Sequence, residues 1–203
     1  MIEALIDEDS QSVRRFLISL ITYFGEKASP EAIKYLNDDR WFVQRNMLFI
    51  LNECGGEDAP QHIRKYCKHE NPKVSFEAIK CLLKVRDLYG VESLRNSLRS
   101  ESRDSVKKAI ALSGTFRVKD VVPELIEMLK KKTITGINNE DKIPIVRALG
   151  QIGDTRALDT LRDILSEKSL LFRGSLDRLK EEIRRSLKDY PDEGVREFSE
   201  WKQ

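Results

Sequence analysis

Apolar residues along this chain recur at helical spacing, and the pattern is clearest over residues 146–165. In the second half of this stretch leucine recurs at Leu158 and Leu161, which places both side chains on one face of a helix. Gly153 precedes this helix and accepts the left-handed conformation that often ends the helix before it. Asp154 follows as a good cap for the next helix. The pattern therefore predicts two antiparallel helices joined by a tight turn.

Similar pairs of helical segments recur along the rest of the chain. The first residue expected to be buried in each inner helix serves as its anchor, and successive anchors lie 30 to 38 residues apart: Val13, Val43, Val74, Val106, Asp141 and Leu179. No alternating apolar and polar run favours a strand. One helical hairpin cannot bury its own apolar face, but several stacked hairpins share a continuous core. The sequence therefore predicts an all-α stack of about five to six helical hairpins.

We expect these hairpins to form a single domain over residues 1–203. The repeats are expected near residues 10–38, 39–70, 71–101, 102–131 and 138–168, followed by a carboxyl-terminal cap over 176–203. Two insertions, Lys131–Asn139 and Ser169–Ser175, interrupt the period and are predicted to be loops. The cap carries three spaced apolar residues, Val195, Phe198 and Trp201. We interpret this tail as a capping helix or, alternatively, as a dimer contact.

Two stretches of the chain resemble a known repeat. Residues 147–158 read Arg-Ala-Leu-Gly-Gln-Ile-Gly-Asp-Thr-Arg-Ala-Leu, and residues 38–46 read Asp-Asp-Arg-Trp-Phe-Val-Gln-Arg-Asn. Both are similar to the bacterial HEAT repeats of phycobilin lyase subunits, and the resemblance extends over residues 10–190. It implies a right-handed α-α superhelix, the HEAT-repeat solenoid. It says little about activity, because functional sites are grafted on folds.

The resemblance also implies an electrostatic ladder, in which an arginine after the first buried valine of each repeat pairs with aspartates of the turns. Arg14 occupies this position in the first repeat. The equivalent positions of the other repeats carry different residues: Gln44, Ser75, Lys107, Lys142 and Lys180. We therefore expect the ladder to be mostly lost and the packing of apolar side chains to hold the stack together.

The composition argues against several classes of protein. Of the 203 residues, 40% are hydrophobic and 34% are charged, and 36 basic residues against 34 acidic ones give a net charge of +2. A near-neutral chain argues against a general nucleic-acid binder, which needs a concentrated basic patch. The apolar run Phe16–Phe24 is too short to span a bilayer, and the acidic amino terminus lacks the basic head of a signal peptide. We expect a cytoplasmic protein without membrane contact.

Residues that carry chemistry are sparse. The chain has two histidines, His62 and His69, and their spacing does not assemble a metal site with the carboxylates. No nucleophile motif and no phosphate-binding glycine loop occurs. The three cysteines, Cys54, Cys67 and Cys81, lack C-x-x-C spacing and are interpreted as small buried residues in a reducing compartment. The sequence predicts no catalytic residue, no cofactor, no metal and no enzymatic activity.

The resemblance implies that the inner helix of each hairpin lines a concave face. Counted from each anchor, the second and sixth following positions point to that face, and they are rich in bases. The candidate partner-binding residues are Arg15, Arg45, Phe49, Phe76, Lys80, Lys108, Arg147 and Arg185. Arginine binds carboxylates through forked hydrogen bonds, and phenylalanine supplies buried area. We hypothesise a groove that holds an acidic or apolar peptide or helix of another protein.

Four alternatives to this interface stay open. Phe49 and Phe76 are equally well explained by packing between neighbouring helices, with the bases simply solvated. The basic positions superficially resemble those of HEAT-like proteins that bind DNA, although they are few for that role. The historical name of the repeat implies a bilin lyase-like subunit. Finally, the weakly capped first helix suits a piece of a longer chain, whose amino-terminal face meets another domain.

Overall fold

The computed structural model describes residues 1–131, 139–167 and 173–190, without the side chains of Arg173 and Asp189. The regular elements in these ranges are helices, and no β-strand occurs among them. The α-helices are α1 Ile2–Asp7, α2 Gln11–Tyr23, α3 Ser29–Tyr35, α4 Trp41–Cys54, α5 Ala59–Ile63, α6 Pro72–Lys84, α7 Leu88–Leu98, α8 Arg103–Thr115, α9 Val122–Lys130, α10 Asn139–Ile152, α11 Leu158–Ser166 and α12 Arg173–Ser186. Short 3₁₀ helices cover Gly25–Ala28, Arg64–Lys68, Lys119–Val121, Thr155–Ala157 and Leu187–Asp189. None of the helices described is long and apolar enough to cross a membrane.

The chain forms two compact units, Met1–Ser93 and Leu94–Gln203. The expected single domain over the whole chain stays a prediction. Most of the two predicted insertion loops and the whole of the tail that carries Val195, Phe198 and Trp201 lie outside the described residues. Within the second insertion, α12 already begins at Arg173, so its last residues are helical rather than part of a loop.

In the first unit α2, α4 and α6 are the inner helices, and α4 packs against α2 and against α6. Helix α3 packs against α4, and the 3₁₀ helix Arg64–Lys68 packs against α6. Each of these two inner helices therefore packs against a helical segment that precedes it in the chain. The predicted anchors of α4 and α6, Val43 and Val74, are buried. So are apolar residues that follow them at helical spacing: Met47, Ile50, Leu51, Ala78, Cys81 and Leu82. The predicted all-α stacking of hairpins is confirmed in this unit.

Helix α2 departs from the predicted burial. Val13, the expected anchor of the first repeat, is 40% exposed, whereas Ile21 is the residue of α2 that is buried. The prediction is wrong because α2 carries apolar residues on two faces, and Val13 lies on the face that stays exposed. Two other anchors, Val106 and Asp141, are half-buried rather than buried.

In the second unit α10 packs against α8 and against α12, and α9 packs against α10. The side chains of Leu125, Leu149 and Ile183 are fully buried in its core. The inner helices approach one another closely at Gly150, where a Cβ atom would lie only 2.7 Å from the Cβ of Ser186. The all-α stacking of hairpins is confirmed in this unit as well.

The turns before two of the helices share an Asp-x-Arg arrangement. Asp154 accepts hydrogen bonds from the backbone N–H of Arg156 at 3.0 Å and from its Nε at 2.9 Å. Asp38 accepts the equivalent bonds from Arg40, at 2.9 Å each. The hydrogen bonds from the arginine lower the pKa of Asp38 to about 2 and also lower the pKa of Asp154. Gly153 has a φ of 67°, which confirms the turn predicted there.

Ion pairs between neighbouring helices of the second unit occupy other positions than those of the expected ladder. Arg103 of α8 pairs with Asp141 of α10 at 2.6 Å, and Arg147 of α10 pairs with Glu182 of α12 at 2.9 Å. The arginines are more than half exposed in both pairs. Each exposed pair therefore contributes about 0–1 kcal/mol to the free energy of unfolding.

Candidate partner-binding groove

A groove of about 640 Å³ runs between α2 and α4 in the first unit. Helix α2 contributes Gln11, Arg14, Arg15, Ile18, Ser19 and Thr22. Helix α4 contributes Trp41, Phe42, Arg45, Asn46, Phe49 and Glu53. The structure thus brings together Arg15, Arg45 and Phe49, three of the residues predicted to bind a partner.

Helix geometry arranges the wall that α4 presents to this groove. Trp41, Arg45, Phe49 and Glu53 follow one another at intervals of four residues, so their side chains lie one above the other on the same face. The opposite face of α4 carries the buried core residues, which fix the helix against α6. The groove wall is therefore positioned by the same packing that builds the unit.

Positive charge dominates the groove. Arg15 and Arg45 are exposed, and neither makes an ion pair or a hydrogen bond with any part of the chain that the structure describes. Arg14 donates a hydrogen bond to the backbone carbonyl oxygen of Asp9 at 3.3 Å. Glu53 is the single acid among the lining residues. Three guanidinium groups beside one carboxylate attract acidic ligands and form charge-assisted hydrogen bonds with them.

Aromatic rings give the groove an apolar component. Trp41 is 38% exposed, and the Nζ of Lys73 lies 4.9 Å from the centroid of its ring. Phe42 meets Trp41 edge to face, with the ring centroids 6.2 Å apart. Phe49 is half-buried, so part of its ring faces the groove while the rest packs within the unit. Partly exposed aromatic rings beside arginine are the composition that interface hot spots favour.

The two predicted interface residues of α6 lie outside this groove. The Nζ of Lys80 donates a hydrogen bond to the carboxylate of Glu77 at 2.7 Å, and Glu77 is buried. The positive charge of Lys80 is therefore compensated within its own helix. Phe76 is half-buried on the same helix. The role of these two residues in partner binding stays a prediction.

The other three predicted residues, Lys108, Arg147 and Arg185, belong to the second unit. The Nε of Arg147 donates to Glu182 at 2.9 Å, and that hydrogen bond raises the pKa of Arg147. Arg185 pairs with Glu181 at 3.4 Å, and Lys108 is exposed on α8. Two of these bases are therefore engaged by carboxylates of their own helical stack. Their contribution to partner binding stays a prediction.

Trp41 and Arg14 are among the nine lining residues of the groove that sequence reasoning missed. Trp41 precedes the anchor Val43 by two residues, so it fell outside the positions that were counted. The available signal was a tryptophan at the start of a helix directly after a turn, since tryptophan is enriched at binding hot spots. Arg14 was assigned to the electrostatic ladder, yet it lines the groove.

A second groove, of about 360 Å³, lies in the second unit and is lined by residues of α8, α9 and α10 among others. Both of its arginines are paired with acids, whereas its two lysines, Lys107 and Lys131, have no ion pair among the described residues. Arg103 pairs with Asp141 at 2.6 Å, and Arg99 pairs with Glu124 at 3.1 Å. The groove between α2 and α4 is therefore the better candidate for an acidic ligand.

Metal ligands and cysteines are the remaining side chains that could carry chemistry. The described residues include no group of three or more His, Cys, Asp and Glu side chains that would hold a metal ion. The three cysteines are free and buried, as the sequence predicted. Burial raises the pKa of Cys67 to about 11 and also raises the pKa values of Cys54 and Cys81. These thiols are therefore protonated at neutral pH, whereas a nucleophilic cysteine needs its thiolate.

Family models match two parts of the sequence. The model for HEAT repeats matches residues 29–114, and the model for the PBS lyase HEAT-like repeat matches residues 145–167. The second match contains most of the stretch from Arg147 to Leu158 that carries the resemblance noted above. Among curated proteins none matches the chain in sequence.

Two solved structures are similar to this chain. The complex of CpcE and CpcF of phycocyanin lyase from Nostoc sp. PCC7120 is similar with a TM-score of 0.52 and 17% identity over 77% of this chain, which spans 65% of that lyase chain. An engineered protein is similar with a TM-score of 0.47 and 16% identity, over 91% of this chain and 96% of its own. The two matched family models and the all-α fold shared with the lyase complex identify this chain as a HEAT-repeat protein.

Proposed function

We propose that this protein is a non-catalytic scaffold that binds an acidic, partly apolar peptide or helix of a partner protein in the groove between α2 and α4. HEAT repeats support a role in protein interaction, because stacked hairpins present extended surfaces to their partners. The observation that carries the proposal is the pair of uncompensated guanidinium groups, Arg15 and Arg45, beside the rings of Trp41 and Phe49.

The two arginines stand on opposite walls of the groove, Arg15 on α2 and Arg45 on α4. A ligand lying between the helices therefore meets a guanidinium group on either side. Each hydrogen bond between such a group and a carboxylate contributes about 1.5–3 kcal/mol. Acidic residues spaced along a bound segment would engage both walls, while its apolar side chains cover Trp41 and Phe49. Because the arginines bind carboxylates and the aromatic rings bind apolar side chains, the groove favours acidic, partly apolar segments over neutral ones.

Panning a display library of random peptides against the full chain tests the ligand class without assuming a sequence. Enriched peptides are expected to combine Asp or Glu with aromatic or branched apolar residues. Their affinities are then measured by fluorescence polarisation with the wild type, with Arg15→Glu/Arg45→Glu and with Phe49→Ala. Lys68→Glu/Lys188→Glu is the matched control, because it changes the net charge equally at exposed bases that do not line the groove.

We expect the groove double variant to weaken binding by at least about tenfold, which corresponds to about 1.4 kcal/mol. Phe49→Ala is expected to weaken binding through lost apolar contact, and the control is expected to bind like the wild type. Enrichment of basic peptides, or an equal loss of affinity in the control, would contradict the groove model.

Two other functions are separable from this one by simple measurements. The groove has too few uncompensated bases to release many counterions from DNA. We therefore expect gel-shift experiments to show no DNA binding of the kind whose affinity falls steeply with salt. A bilin lyase-like role rests on the fold shared with the CpcE and CpcF complex. If the protein has that role, mixing it with a free bilin would change the visible absorbance spectrum of the bilin, whereas the scaffold model predicts no change.

A further inference from the structure

The side of α2 that faces away from the groove carries an exposed apolar stripe, made of Val13, Phe16, Leu20 and Tyr23. Phe16 is 65% exposed and Tyr23 is 86% exposed, and Phe24 beside them is 49% exposed. The largest contiguous apolar patch on a protein surface is often functional, and patches of this kind mark interaction surfaces. This stripe lies outside the lining of the groove, so it belongs to a different surface.

The spacing of the stripe suits the packing of one helix against another. Its residues follow at intervals of three, four and three, which is the a and d pattern of two helices that pack along their length. The positions that flank the stripe on either side hold uncharged residues, Ser12, Leu17, Ser19 and Phe24, of which Ser19 also lines the edge of the groove. An identical helix can therefore approach this face without meeting charges of the same sign.

The exposed area matches what a stable interface requires. A fully buried aromatic side chain covers about 150–250 Å², so Phe16, Tyr23 and Phe24 together with the aliphatic residues expose on the order of 500 Å². A standard interface buries about 800 Å² of each partner. Somewhat more than half of that area is apolar, or about 450 Å². The stripe and Phe24 together supply this apolar share, and the surrounding polar residues complete the interface.

Charge complementarity favours a second copy of the same chain in antiparallel orientation. A twofold axis at the middle of the stripe places Phe16 of one copy against Leu20 of the other, and Val13 against Tyr23. A parallel order would set the acidic segments Asp7–Asp9 of the two copies side by side, whereas the antiparallel order sets each of them toward Glu26 and Lys27, whose charges cancel. Asp9 and Lys27 are both exposed. The pairing is repeated on the other side of the axis, as in every isologous dimer.

We infer that the protein forms a symmetric homodimer through the apolar stripe of α2, with the two helices antiparallel. The dimer leaves the groove of each copy facing away from the axis, because the groove and the stripe are on different sides of α2. The inference does not depend on the proposed function, since it concerns another surface and needs no ligand.

Sedimentation analysis of the full chain from about 1 to 100 µM tests the dimer. The wild type is expected to dimerise within this range, and Phe16→Glu/Tyr23→Glu is expected to raise the dissociation constant by at least about 100-fold. Leu88→Glu is the matched control, because Leu88 is 81% exposed in the same unit but lies outside the stripe. Circular dichroism checks that each variant is folded. A wild type that stays monomeric, or a dimer unaffected by the double variant, would overturn the inference.

Cross-linking tests the antiparallel order. Because the native cysteines are buried, a cysteine introduced into the stripe is the reactive one. A mixture of Phe16→Cys and Leu20→Cys chains is expected to form disulfide-linked dimers faster under mild oxidation than either variant alone. Faster linking of Phe16→Cys with itself than in the mixture would refute the antiparallel arrangement.

Discussion

Alanine substitutions at two helical glycines of the second unit are expected to have opposite effects on stability. A Cβ atom at Gly150 of α10 would lie 2.7 Å from the Cβ and 3.2 Å from the Cα of Ser186 in α12. A Cβ atom at Gly174 of α12 would have no atom within 4 Å. The two changes are chemically identical, so their difference isolates the close approach of α10 and α12.

The magnitudes follow from two opposing contributions. Alanine in place of glycine stabilises a helix interior by about 0.5–1 kcal/mol. Overpacking costs about 1–3 kcal/mol, and here α10 and α12 must separate because part of the obstruction is backbone. We therefore expect Gly150→Ala to lower the free energy of unfolding by about 1–2 kcal/mol. Gly174→Ala is expected to raise it by up to about 0.5 kcal/mol, since Gly174 lies in the first turn of its helix.

Urea unfolding followed by far-ultraviolet circular dichroism measures both effects. With a denaturant dependence of about 1–3 kcal/mol per molar urea, the Gly150→Ala midpoint is expected to fall by roughly 0.5–1 M. Hydrogen exchange of peptides from α10 and α12 shows whether the loss is local to their contact. Adding Ser186→Gly removes the opposing Cβ and should recover part of the loss, which a double-mutant cycle quantifies. A Gly150→Ala midpoint at or above that of the wild type would refute the packing argument.

Two further predictions concern turns. Arg117 has a φ of 49°, a conformation that costs a residue with a Cβ about 1 kcal/mol, so Arg117→Gly should stabilise the protein by about 0.5 kcal/mol. Lys107→Gly, within α8, should instead destabilise it by about 1 kcal/mol. Thermal unfolding compares the two variants, and equal effects on stability would be inconsistent with strain at Arg117. Because hydrogen bonds from Arg40 lower the pKa of Asp38 to about 2, the folded protein binds this proton less readily than the unfolded chain. The stability that Asp38 contributes is therefore present above about pH 4 and lost as the pH falls toward about 2, and Asp38→Asn should flatten the pH dependence of urea unfolding in that window.

Much of the fold follows from spacing within single helices. The buried faces of α4 and α6 were predictable because the apolar residues of each helix form a single stripe. A helix with a single apolar stripe buries its apolar residues only when that stripe faces the core. Helix α2 has apolar residues on two faces, and periodicity alone does not tell which face another helix covers. The error at Val13 has this origin, and the same ambiguity concealed the exposed stripe that the structure reveals.

The candidate site was predictable to the extent that it depends on one helix at a time. Arg45 and Phe49 lie four residues apart on α4, so any correct assignment of that helix places them together. The availability of a charge depends instead on residues that are distant in sequence. Arg147 satisfies the same counting rule as Arg45, but Glu182, 35 residues further on, accepts its hydrogen bond. A rule that counts positions within one helix ranks these two arginines equally. Because Arg147 already has an ion pair with Glu182 and Arg45 has none among the residues that the structure describes, Arg45 is the better candidate to bind a carboxylate of a partner.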